Sequence, residues 1–133
     1  MTKPTRADTP EGERGAAVAE SAMIMALLAI LFAAIMQFGV VIYTYNAMVD
    51  AASAGARHAS LADRSAQDGA ERAKSLMTSA VPRSQDLDVS TSISSGDGGA
   101  EMVTVIVRHQ LPMVGFISGP VILEATGHAY RYQ

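Results

Sequence analysis

"RGAAVAESAMIMALLAILFAAIMQFGVVIY", residues 14–43, decides how the rest of the chain is read. From Ser21 to Tyr43 it runs for 23 residues in which Ser21 and Gln37 are the polar side chains before the terminal tyrosine. As an α-helix it is roughly 34 Å long, enough to cross a hydrocarbon layer of about 30 Å. Tyr43 and Tyr45 follow at its far end, where amphipathic rings favour a membrane–water interface. The 90 residues after Tyr43 are too few to bury such a helix on all sides. A secretory signal fits less well, because its apolar region is about 7–15 residues. The expectation is a single transmembrane helix over residues 16–45, with one acid, Glu20, at its mouth.

The remaining composition excludes several classes. A formal net charge of −3 argues against nucleic-acid binding, which calls for a basic patch. Without cysteine there are no disulfides, thiolate metal sites or cysteine nucleophiles. His58, His109 and His128 have no metal-ligand spacing, and His109 and His128 read as exposed or rim residues of strands. Asp86, Asp88, Asp97 and Glu101 flank a loop but match no calcium-binding loop pattern, so they read as a solvated turn. "SGDGG" joins two strands and opens no helix, which removes the phosphate-loop reading. No catalytic constellation can be assembled, so the chain reads as a non-enzyme without cofactor or metal.

Residues 1–14 are polar and aperiodic, with two prolines, and read as a short disordered leader; the helix is expected to begin near Gly15 or Ala16. Small or apolar residues recur at Ala47, Ala51, Gly55, Ala59, Ala62, Ala66, Ala70, Ala73 and Met77. That spacing predicts a helix over about 46–80, ended by Pro82, with a bend near Gly55 or Gly69 tolerated. The period then changes to two. Leu87, Val89, Thr91 and Ile93 mark a strand over about 87–94, and Val103, Val105 and Val107 one over about 101–111. Val121, Leu123, Ala125, Gly127 and Ala129 share one face of a third, about 121–131. The expected fold is α+β: a long N-terminal helix, transmembrane at its start, packed by a small three- to four-stranded antiparallel sheet in residues 46–133. Small residues on the helix let the sheet approach closely.

Within the span, Ala22, Ala26, Ala29 and Ala33 fall on one side of the helix, a pattern that permits close helix packing in lipid. Flanking charges leave orientation open, since Lys3, Arg6 and Arg14 precede the span and Arg57, Arg64, Arg72 and Lys74 follow it. Glu20 is the residue that physics alone explains least. A helix N-terminus tolerates an acid by about 0.3–1 kcal/mol, but that gives no reason to prefer a carboxylate to a serine.

Gly15 after a polar leader ending in Arg14, Glu20 five residues on, and a continuous apolar helix together resemble the class III signal of type IV pilins and pseudopilins. "QFGVVIYTYNAMVDAASAGARHAS" is similar to the stretch after the span in the TadE-like family of the tight-adherence (Flp) pilus system, through Phe38, Ala51, Ala52, Gly55, Ala56, Arg57 and Ala59. "PVILEATGHAYRYQ" is similar to that family's last strand. Ser21 stands where many relatives have Phe, and the span lacks the proline many of them carry. The resemblance implies a pilin-like fold and a leader of residues 1–15 cut by a prepilin peptidase between Gly15 and Ala16. Glu20 would dock against the α-amino group of a neighbouring subunit, with Ala22, Ala26, Ala29, Ala33 and Gly55 in helix packing. It further implies a single pass through the bacterial cytoplasmic membrane with the C-terminal domain outside. The implied partners are membrane lipid, the peptidase, other pilin or pseudopilin subunits and Tad assembly proteins, in the role of a minor pilin. The alternative is a non-polymerising single-pass anchor whose outer domain binds an envelope partner or ligand.

Overall fold

The computed structural model describes residues 10–82, 86–112 and 119–132 of the 133-residue chain. In order along the chain lie helix α1 (Pro10–Ala59), helix α2 (Ala66–Ala80) and strands β1 (Leu87–Ser95), β2 (Ala100–Leu111) and β3 (Val121–Tyr132). A short 3-10 turn, Asp97–Gly99, joins β1 to β2. The fold class is α+β, as the sequence pattern indicates. The chain divides into two compact units, the first ending at Phe38 and the second starting at Gly39.

The first unit is the leading part of α1. The described part of the helix starts at Pro10, ahead of the expected start near Gly15 or Ala16. Leu27, Leu28, Leu31, Phe32 and Ile35 are each more than half exposed. No part of the most apolar window of α1 is buried, and by length and composition the helix is a candidate membrane span. A helix apolar on every side needs an apolar surrounding, and the described residues of this unit supply none.

In the second unit the helix expected over 46–80 is two helices. The break falls at Ser60–Ser65, and neither glycine makes it. Ser65 caps α2 with a reciprocal pair of bonds: its Oγ accepts from the Asp68 backbone N–H at 3.2 Å, and its own N–H donates to Asp68 Oδ2 at 2.7 Å. This capping box starts a new helix where continuation was expected. Gly55 and Gly69 instead face each other across the two helices. A Cβ on Gly55 would stand 2.6 Å from the Gly69 carbonyl oxygen and 2.9 Å from the Ala73 Cβ. Their lack of side chains brings α1 and α2 to backbone contact.

The sheet is antiparallel in the order β1-β2-β3, with Val105 paired to Thr91 on one side and Gly127 on the other. Val103, Val105, Val107 and Ala125 are buried on its inner face. Val105, Val107 and Ala125 pack with Met48, Ala51, Ala52 and Ala56 of α1 and with Ala73 and Met77 of α2. The approach is closest at Gly127, where a Cβ would lie 2.5 Å from the Ser53 backbone nitrogen and overlap the Ala52 carbonyl. Ile93 keeps the parity of Leu87 and Val89 yet is 47% exposed, beyond the part of β1 that α2 flanks.

His109 departs from its expected place on the rim. It shares the odd-numbered parity of Val103, Val105 and Val107 and is therefore carried inside, only 4% exposed. Among the described residues its Nδ1 has no hydrogen-bond partner. His128 has the opposite parity and is exposed, with Nδ1 3.0 Å from Thr104 Oγ1.

Candidate assembly site on the N-terminal helix

Gly15, Ala16 and Glu20 all lie in α1, exposed, in the first unit. The Gly15–Ala16 peptide is helical, so a residue that costs a helix up to about 1 kcal/mol relative to alanine sits inside one. Packing gives no compensation: a Cβ at Gly15 would meet nothing within 4 Å, in contrast with Gly55, Gly69 and Gly127. Gly12 and Gly39 are equally open, so it is the distance from Gly15 to Glu20 that sets this glycine apart.

The helical neighbours of Glu20, three and four residues away, are Ala16, Ala17, Met23 and Ile24, an apolar face. Among the described residues no side chain pairs with its carboxylate. Ser21 is different, because its Oγ donates to the Ala17 carbonyl at 2.9 Å and so enters an apolar surrounding already satisfied. Glu20 is thus the acid at the start of the apolar run that has no counter-charge among the described residues. Ala22, Ala26, Ala29 and Ala33 are exposed along the same helix, whereas Gly55 belongs to the second unit and is used in the contact with α2.

In the second unit two ion pairs join β2 to β3. Arg108 Nε donates to Glu124 Oε2 at 2.6 Å, which holds the guanidinium above its ordinary pKa. Arg131 bonds Glu101 Oε2 at 2.5 Å and also reaches the Arg64 carbonyl oxygen at 3.4 Å, fastening the α1–α2 connection to the sheet. The bonds from the Ser65 backbone N–H and hydroxyl hold the Asp68 carboxyl below the usual carboxylate range. An open groove of about 370 Å³ between α2 and β1 is lined by Gln67, Glu71, Lys74, Leu87 and Val89 among others. Among the described residues no group of three or more His, Asp or Glu side chains is placed to hold a metal.

Several of these features had a signal in the sequence. Ser65 is followed three positions later by Asp68, and that spacing marks a capping box. Gly127 inside an alternating strand marks close backbone approach. The pairs Arg108–Glu124 and Arg131–Glu101 had none, because they depend on strand register.

Compared with protein families, residues 15–57 match the family described as TadE-like protein. The match covers about a third of the chain and contains Gly15, Glu20, the apolar run and the part of α1 that underlies the sheet. It agrees with the resemblance carried by the sequence itself. No curated protein and no solved structure matches the chain.

Proposed function

We propose that this chain is a minor pilin or pseudopilin of a Tad (Flp)-type pilus, processed by a prepilin peptidase and acting in assembly, without enzymatic activity. The observation that carries the reading is the pair Gly15 and Glu20: neither is required by the chain's own packing, and both lie in the segment matching the TadE-like family. In this reading the apolar part of α1 holds the subunit in the cytoplasmic membrane, with the N-terminus inside and the sheet domain outside. Gly15 lowers the cost of opening the helix at the bond to be cut. Cleavage after Gly15 exposes the α-amino group of Ala16. Glu20, on an apolar face and without a partner among the described residues, then finds a cation in the amino terminus of an adjacent subunit as helices bundle.

The energetics favour one register. A carboxylate in a low-dielectric bundle is tolerable when a cation satisfies it and costs several kcal/mol when it does not. Ala22, Ala26, Ala29 and Ala33 allow the neighbouring helix close enough for that pairing. The partners are therefore lipid, the peptidase, other pilin subunits and Tad assembly proteins.

Glu20→Gln tests this by keeping size and removing charge. The variant is cleaved normally and accumulates in the membrane, while its amount in sheared pili falls at least several-fold. Wild-type incorporation of the cleaved variant would refute the docking role.

A further inference from the structure

We infer that the side of α1 turned away from the sheet docks against a second copy of this chain, parallel and displaced by one heptad, with Arg57 of one copy paired to Asp50 of the next. The inference rests on the proposed membrane span, which gives every copy the same orientation. It goes beyond that reading by naming a second ion pair, placed after residue 45.

Within the second unit α1 has two sides. Met48, Ala51, Ala52 and Ala56 are buried in the core, and Gly55 meets α2. At 3.6 residues per turn, the direction opposite them runs through Asn46, Asp50, Ser53 and Arg57. Asn46, Asp50 and Arg57 are exposed there, and Ser53 is half-buried. Asp50 and Arg57 stand one heptad apart, aligned to within about 20°, so both lie on the midline of this face. The neighbours of Asp50 three and four residues away are Asn46, Ala47, Ser53 and Ala54, and Arg57 has Ser53 and Ala54 before it on the helix. Neither charge therefore meets its opposite on α1. Among the described residues neither side chain is in an ion pair, whereas Arg108 and Arg131 each hold a carboxylate.

Charge complementarity selects both the occupant and the register. Two parallel copies without displacement would set Asp50 against Asp50 and Arg57 against Arg57, a repulsive arrangement. A shift of one heptad, about 10 Å along the helix, brings Asp50 of the displaced copy level with Arg57 of the first. Ser53 and Ala54 lie between the two charges and are small, which lets the helices come close enough for the pair. An antiparallel pair would satisfy both charges at once, but copies that span one membrane in one orientation cannot form it. The parallel contact is head-to-tail. Each copy offers Arg57 to one neighbour and Asp50 to the other, so the contact does not close and extends into a row. In the docking of Glu20 the neighbour likewise contributes the residue of lower number, so both pairs call for displacement in the same sense.

The sequence has no cysteine, so introduced cysteines report the register without background. One heptad of displacement sets Asn46 of one copy level with Ser53 of the other and leaves both charges in place. Full-length Asn46→Cys and Ser53→Cys, carrying different tags, are co-expressed in the native host and their membranes mildly oxidised. The disulfide dimer carrying both tags is expected to exceed either same-tag dimer at least several-fold. Arg57→Asp in both copies should lower it several-fold, and the swap Asp50→Arg with Arg57→Asp should restore it, a recovery that a merely structural role would not give. Same-tag dimers equal to the mixed one overturn the displacement, and absence of every dimer overturns the second copy as occupant. A mixed dimer indifferent to Arg57→Asp overturns the ion pair. Failure of the underlying reading shows separately in the same membranes, as a chain released by carbonate, and the parallel docking falls with it.

Discussion

Gly127→Ala is the most exacting test of how the sheet sits on the helix. The added Cβ would stand 2.5 Å from the Ser53 nitrogen and overlap the Ala52 carbonyl, both of them backbone atoms of α1 that no rotamer change can move. Restoring ordinary contact requires the sheet to lift by about 1 Å, and a gap of that size forfeits up to about half of the dispersion attraction across it. The affected surface is the centre of the core, where Val105, Val107 and Ala125 pack with Met48, Ala52 and Ala56. The cost is therefore at the upper end of overpacking penalties, about 3 kcal/mol. For a domain of this size that lowers the thermal midpoint by about 12–24 °C. Circular dichroism melts of the detergent-solubilised full chain measure it, with Thr126→Ala, exposed on the opposite face, as a control expected within about 0.5 kcal/mol. A Gly127→Ala melt indistinguishable from the control would refute the close approach and the core built on it.

Gly55→Ala should destabilise the same domain by about 1–3 kcal/mol, since its Cβ meets the Gly69 carbonyl and Ala73, and the same melts detect it. Ser65→Ala should cost about 1 kcal/mol through loss of the α2 cap, read from the denaturation midpoint. In the same variant the Asp68 carboxyl should titrate upward toward its ordinary value in an NMR pH series. In the wild type, because that group's folded pKa is lowered, its contribution is complete above the unfolded value of about 3.9 and is lost as pH falls through the folded one. His109→Leu should leave stability unchanged or raise it, because a buried nitrogen without a partner is replaced by carbon; a denaturant midpoint well below wild type would show that His109 has a partner in solution.

The parts of the fold visible in the sequence are those governed by period. The unbroken apolar run could only be a helix needing an apolar surrounding, and the alternation at Val103, Val105 and Val107 names the buried face of β2. Extending that alternation two residues would have placed His109 inside; its polarity argued for the rim, and parity decided otherwise. The break between α1 and α2 was hidden because alanine, arginine and leucine around it are good helix formers, and Ser65 with Asp68 was the signal that outweighed them. Gly55 and Gly69 read as weak points of one helix and are in fact the contact between two. The ion pairs of the sheet depend on register, which pattern alone does not carry. Gly15 and Glu20 stood out in the sequence for the reason they stand out in the fold, namely that no contact among the described residues accounts for them.

The central claim is that α1 carries a peptidase site between Gly15 and Ala16. Intact mass and N-terminal sequencing of the protein from its native membrane test it most directly. The account predicts a chain starting at Ala16, and a Gly15→Leu variant that keeps its leader. A wild-type chain still beginning before Gly15, in cells whose prepilin peptidase processes its other substrates, would contradict it.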